Sequence, residues 1–287
     1  MKLTNKKIKI GILGLALTSV LVWAGTALKI TEQPEDQTAA LGESVTFTVE
    51  AEGDSDISMD MVWCPAGTFT MGSPGSELGR WGGEAQHSVT LSSGFWIGKY
   101  EVTQAQYRTV MGNNPSYFSG DKNPVECVTW YDAMSFCEKL TAQERAAGRL
   151  PEGYEYTLPT EAQWEYACRA GTTTAFNNGT NIPTDEQEWY EPCPNLDPVA
   201  WYSYNSGSTT HPVGQKRPNN WGIYDMHGNV WEWCLDWYPG YEGSGRVIRG
   251  GGWNDYALNC RSADRSNGNP GNDDDSYGFR VALSIVQ

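Results

Sequence analysis

Cations are scarce in this chain: 20 Lys and Arg stand against 35 Asp and Glu over 287 residues, a formal net charge of -15. Nucleic acid and anionic membrane surfaces select for clustered Lys and Arg, so the composition argues against both as partners. Only three histidines occur, His87, His211 and His227, which gives a histidine-based metal or catalytic site little support. None of the seven cysteines forms a Cys-x-x-Cys pair, which argues against structural zinc and a thioredoxin-like redox site. Their odd number leaves at least one unpaired within the chain. The one apolar run, Ile10 to Trp23, is shorter than the roughly 20 residues a spanning helix needs. It follows Lys2, Lys6, Lys7 and Lys9 and precedes Gly25, Thr26 and Ala27, the layout of an export signal over residues 1–27. No cysteine follows it directly, so a lipoprotein anchor is not indicated, and removal of the signal leaves no transmembrane segment. The expected location is outside the cytoplasm: secreted, periplasmic or on the cell surface.

What is abundant is glycine, with 32 residues, beside 13 Trp and 15 Tyr. Such a balance predicts many turns and a core built on large rings, as in loop-rich extracellular folds. Residues 28–57 contain the alternating stretch "SVTFTVEA" and resemble the first strands of an immunoglobulin-like domain, too short to complete one; they are read as a strand remnant or linker. Residues 58–287 then form the main domain. Short aromatic strands ("MVWCPAGTFTMG", "HSVTLSSGFWIGKYEVT") precede two helical segments. In the first, Trp130, Ala133, Met134, Cys137 and Leu140 fall on one face. The second opens with Thr160 and Gln163 at capping-box spacing, carries Trp164, Ala167 and Cys168 inward and ends at Gly171. Two helices on strands and loops make an α+β domain.

A second kind of scarcity lies near the C-terminus. In "RGGGWNDYALNCRSADRSNGNPGNDDDSYGFRV", the residues between the anchors Gly250–Trp253, Cys260–Ala263, Arg265, Pro270 and Gly278–Val281 are only Asn, Asp, Ser, Gly, Tyr, Ala and Leu. Lys, Glu, Gln, Met and Trp are missing. Turn-forming loops favour Asn, Asp, Gly and Ser on their own account, so an ordinary loop is one reading. However, every filler residue has a codon that ends in a pyrimidine and differs from an Asn codon only at its first two bases, a set that excludes the five missing types.

The words "PAGTFTMGS", "KYEVTQAQY", "PVECVTWYDAMSFC", "LPTEAQWEYACRAG", "RPNNWGIYDMHGNVWEWCLDWY" and "RVIRGGGW…CRSADR…GFRVAL" resemble, in order, those of the sulfatase-modifying factor family, which includes the formylglycine-generating enzymes. The resemblance implies an elaborated C-type-lectin-like fold. It also implies, in the active enzymes, a copper(I)-binding cysteine pair five positions apart. Laid from Gly250, the first thiol position holds Asp255, the following His position Tyr256, the Ser position Gly252, and only the second thiol, Cys260, remains. A carboxylate is a poor copper(I) ligand, so copper is not expected. Family pairing points to a Cys168–Cys260 disulfide. It leaves Cys137 in helix core, because its partner position holds Val281. The family's calcium site maps onto Asp225, Gly228, Val230 and Glu232, all oxygen donors suited to a hard cation.

The filler vocabulary resembles that of the variable proteins of diversity-generating retroelements, in which template adenines are randomised and copied into the end of a gene. That resemblance implies a variable region over 254–277 and a ligand-binding face drawn from Asn254, Asp255, Tyr256, Ala257, Leu258, Asn259, Asp264, Ser266, Asn267, Asn269, Asn272, Asp273, Asp275 and Tyr277. Tyr supplies contact area at low entropy cost, and Asn, Ser and Asp supply adaptable hydrogen bonds to a protein or glycan ligand. The alternative is a formylglycine-generating-type oxidase, or an altered enzyme of that family, using Cys260.

Overall fold

The computed structural model describes residues 59–183 and 191–285, together with four two-residue strands: β1 (Ile8–Lys9) against β3 (Thr46–Phe47), and β2 (Lys29–Ile30) against β4 (Ala51–Glu52). Apart from those strands, the export signal and the immunoglobulin-like remnant lie outside the described residues.

Three short helices sit on two four-stranded sheets, and each helix is opened by the same device. Thr103 caps α1 (Gln104–Met111), Thr129 caps α2 (Trp130–Ala146) and Thr160 caps α3 (Glu161–Arg169); each threonine accepts from the third helical N–H while that residue's side chain reaches back to the threonine's own N–H. Helix α1 is additional to the two expected from sequence; its box, Thr103 with Gln106, was readable in "VTQAQ". Helix α3 ends at Arg169, two residues before Gly171, because Ala170 itself takes the left-handed conformation at φ 43°.

The first sheet runs β5–β8–β16–β9 with strands β5 (Met61–Cys64), β8 (Phe95–Gly98), β9 (Tyr154–Thr157) and β16 (Ala282–Ile285), all antiparallel. The last strand therefore closes against the first part of the domain. The second sheet runs β14–β13–β12–β15, with β12 (Trp231–Trp237), β13 (Arg246–Arg249), β14 (Arg265–Gly268) and β15 (Tyr277–Gly278); β15 pairs with β12 in parallel. A hairpin, β6 (Gly67–Met71) with β7 (His87–Leu91), stands beside them. Between α3 and β12 the chain is mostly loop, fastened by a parallel bridge of β10 (Ala200–Trp201) with β11 (His227–Gly228).

Rings fill the core. Tyr107, Phe136 and Phe279 interlock where α1 and α2 meet β12 and β13, with Trp233 beneath them. Ala133, Cys137 and Leu140 of α2 are buried there, while Trp130 and Met134 pack at its edge. Trp164 and Cys168 of α3 join Phe95, Ile97 and Met226 in a second cluster. A third cluster, formed by the loops around Phe176, Leu196 and Tyr202, takes in Ala257 and Cys260.

Three fully buried arginines tie the C-terminal segment to this framework. Arg249 reaches Glu165 and the Ser262, Ala263 and Asp264 carbonyls. Arg261 spreads over Glu84 in two 2.7 Å bonds, Glu77 at 2.7 Å and the carbonyls of Gly79 and Leu258. Arg280 forks onto Glu232 at 2.6 Å through two nitrogens. A planar guanidinium satisfies several buried acceptors at once, which lysine cannot do.

Candidate functional site

The segment after β13 turns sharply through Gly250 and Gly251, at φ 97° and 76°. A Cβ on Gly251 would come within 2.7 Å of the Cys260 sulfur, so the turn requires glycine there. Beyond it the chain forms a short 3₁₀ helix, Ala257–Cys260, and returns as β14 and β15. These pieces, with the outer faces of β12 and β13, enclose an open cleft of about 540 Å³. That volume lies within the range of small-ligand sites.

The cleft is lined by Asn254, Asp255, Asn259, Asp264, Ser266, Asp274, Ser276 and Tyr277 from the restricted-vocabulary positions, and by Trp81, Trp231, Tyr238, Ile248 and Arg265 from the fixed frame. Asp255 sits on its floor. One carboxylate oxygen accepts from the Trp231 indole at 2.6 Å and from the Gly252 N–H at 2.8 Å. Burial, against these two donors, pushes its pKa up, and Asp274 adds to the rise. Asp274 accepts from the Ser276 hydroxyl at 2.6 Å and N–H at 2.9 Å. Asp264 is buried, 3.3 Å from Arg261, and burial holds its carboxyl well above the usual range. Arg265 grips Glu161 through two nitrogens and lies 4.8 Å over the Tyr238 ring. The Tyr277 ring packs edge-on against Trp233 at 5.3 Å.

Six of the sequence-predicted binding residues thus line one cleft: Asn254, Asp255, Asn259, Asp264, Ser266 and Tyr277. Others do not. Ala257 is buried in the third core cluster, and Leu258 packs against it and over Gly79, because the 3₁₀ helix turns both apolar side chains inward. Asn269, Asn272 and Asp273 stand exposed on the turn between β14 and β15; Tyr256, Asn267 and Asp275 are half-buried outside the lining. Asp274 and Ser276 belong to the same stretch and were not singled out. Trp231 and Tyr238 were missed as walls because the Trp-rich stretch around β12 reads as core, and Trp81 because it comes from the distant loop between β6 and β7.

The expected Cys168–Cys260 bridge is not formed. Cys168 is a free thiol facing the Met226 carbonyl, His227 Nε2 at 3.9 Å and the Ser262 hydroxyl at 3.6 Å, so serine holds the place opposite it. The His227 ring stands between the two cysteines, its Nδ1 2.6 Å from the Cys260 carbonyl oxygen. Cys260 is likewise a thiol, buried in the third cluster and pushed well above the ordinary thiol range by that burial. One buried, protonated thiol and the carboxylate of Asp255 do not make a copper(I) pair.

Both carboxylates of the expected calcium set already have partners. Both oxygens of Glu232 are held by Arg280, and one also accepts from the Trp164 indole at 2.7 Å. Asp225 accepts the Gly214 N–H at 2.6 Å, and its backbone carbonyl accepts from Arg280. Arg280 brings one positive charge to Glu232, Glu101 and Asp225 together. Among the described residues no group of three or more His, Cys, Asp or Glu is arranged to hold a metal.

An α+β, C-type-lectin-like domain with a cleft built from its C-terminal turn is the class these features define. Residues 48–285 match the Sulfatase-modifying factor enzyme 1-like domain, and the chain belongs to that family. The solved structure of Treponema denticola variable protein 1 is 32% identical and superposes with a TM-score of 0.65, over 87% of this chain and 99% of that one. The Chaperone protein LppX of Paenibacillus barcinonensis is 36% identical over 236 residues, 70% of this chain and 81% of its own length. The Formylglycine-generating enzyme of Mus musculus is 29% identical over 213 residues, which are 68% of this chain and 53% of that relative, so the match spans about half of it. No helix of the described residues is long and apolar enough to cross a membrane.

Proposed function

We propose that the protein is an exported ligand-binding protein whose C-terminal cleft is a diversified recognition face of the kind made by diversity-generating retroelements. One observation carries this reading. The positions restricted to codons reachable from Asn supply eight of the thirteen residues lining the cleft, although they are scattered over 24 positions of sequence. The residues between them hold the fold: Arg261 and Cys260 are fully buried, and Trp253 donates its indole N–H to the Asp275 carbonyl at 3.0 Å. Similarity to a protein named as variable supports the same reading.

Oxidation of the formylglycine-generating type through Cys260 is disfavoured by the burial of its thiol and its absence from the cleft lining. Display of the chain with the eight cleft positions randomised, panned against unrelated proteins and glycans, tests the proposal. Folded clones binding different targets are expected. A library that loses the fold, or never yields a binder, contradicts it.

A further inference from the structure

The cleft has a chemical bias that narrows its ligand. Trp81, Trp231, Tyr238 and Tyr277 contribute to its lining, and Trp81 is 56% exposed. Three carboxylates lie among them, Asp255, Asp264 and Asp274. The cation that shares the lining, Arg265, is committed to Glu161. Arg261, behind the floor, meets Glu77, Glu84 and Asp264 together, so one positive charge faces three negative ones. Asp255 and Asp274 have no ion pair among the described residues and repel one another. A carboxylate set in an aromatic enclosure favours a cation, because ring faces and negative charge attract it together.

We propose, building on the binding-face reading, that this cleft takes the guanidinium or ammonium group of an arginine or lysine side chain presented by a protein segment. A side-chain cation would lie between the Asp255–Asp274 pair and the rings, its aliphatic stem against Trp81 and Tyr277. A protein segment rather than a free amine suits the open cleft, whose about 540 Å³ leaves room beyond one head group for neighbouring residues. The chain's net charge of -15 would steer a basic partner toward it.

The test titrates the full chain with acetyl-Gly-Gly-Arg-Gly-Gly-amide, its Lys and citrulline analogues and free arginine amide, read by indole fluorescence. Binding of the Arg and Lys peptides at least about tenfold tighter than citrulline is expected, with free arginine amide weaker than the peptide. Asp274→Asn, whose side-chain oxygen can still accept from Ser276, should cut the Arg-over-citrulline preference several-fold; Asp255→Asn should do the same. Equal binding of Arg and citrulline peptides, an undiminished preference in Asp274→Asn, free arginine amide binding as tightly as the peptide, or selective capture of neutral glycans on an array would each overturn the proposal. Absence of any peptide binding would overturn it too, while the randomised-library experiment would still decide separately whether the cleft is a binding face.

Discussion

Replacing Arg261 by methionine should separate anchor from filler within the C-terminal segment. The side chain is fully buried and bonded to Glu77, Glu84, Asp264 and two carbonyls. Methionine keeps much of the volume and removes every donor, so three buried carboxylates lose their cation. Removing one partner of a buried ion pair costs about 3–5 kcal/mol. Three carboxylates on one guanidinium place this change at the upper end, partly offset where Asp264 takes up a proton. Arg261→Lys keeps the charge but cannot span both oxygens of Glu84 together with Glu77, so a loss of about 2 kcal/mol is expected. Asn254→Lys and Asn269→Lys, at exposed fillers, should stay within about 0.5 kcal/mol of the parent. Urea unfolding followed by tryptophan fluorescence measures all four. An Arg261→Met loss below about 1 kcal/mol, or a filler substitution as costly as the anchor, would refute the division.

Glu101 is fully buried and its pKa stands well above the usual carboxylate range, first by burial and then by the nearby charges of Asp225 and Glu232; Asp225 itself is pushed up to about 6. Both groups hold a proton more tightly folded than unfolded, so the stability they contribute is full below about pH 4 and is lost as pH rises through their folded values. Glu101→Gln should therefore flatten the decline of stability as pH rises above about 4, and a slope identical to the parent's would count against the arrangement. Chelation with EDTA should leave the melting temperature unchanged, whereas Glu232→Gln, which strands Arg280, should cost about 3–5 kcal/mol; a large EDTA shift would restore calcium. Peptide mapping under non-reducing conditions should recover Cys168 and Cys260 on separate fragments, and a linked pair would reinstate the bridge. Thr160→Ala removes the α3 cap and should cost about 1 kcal/mol by thermal unfolding, with no change meaning that the cap is idle.

Local rules made much of this legible. The capping box at Thr160 and the buried stripe of α2 are features that sequence carries directly; the boxes at Thr103 and Thr129 were present too but were found only in the structure. Codon vocabulary identified the segment that builds the cleft. It could not say which fillers face it, because the 3₁₀ helix turns Ala257 and Leu258 to the core while Asn259 of the same turn reaches the cleft. Walls from Trp81 and Tyr238 depend on packing across long separations, and no local pattern reports that. The disulfide and calcium expectations came from the family, which does not report what stands opposite in this chain: Ser262 faces Cys168, and Arg280 faces Glu232.

The most direct test of the central claim is deep sequencing of the gene's 3′ end, with the DNA just downstream, across a population of the source organism. The account predicts substitutions crowded into the codons for Asn254, Asp255, Asn259, Asp264, Ser266, Asp274, Ser276 and Tyr277 and the other fillers. It also predicts fixed codons for Trp253, Cys260, Arg261 and Arg265, and a nearby copy of the segment carrying adenines at the varied sites. Uniform codons throughout, with no such copy, would contradict it.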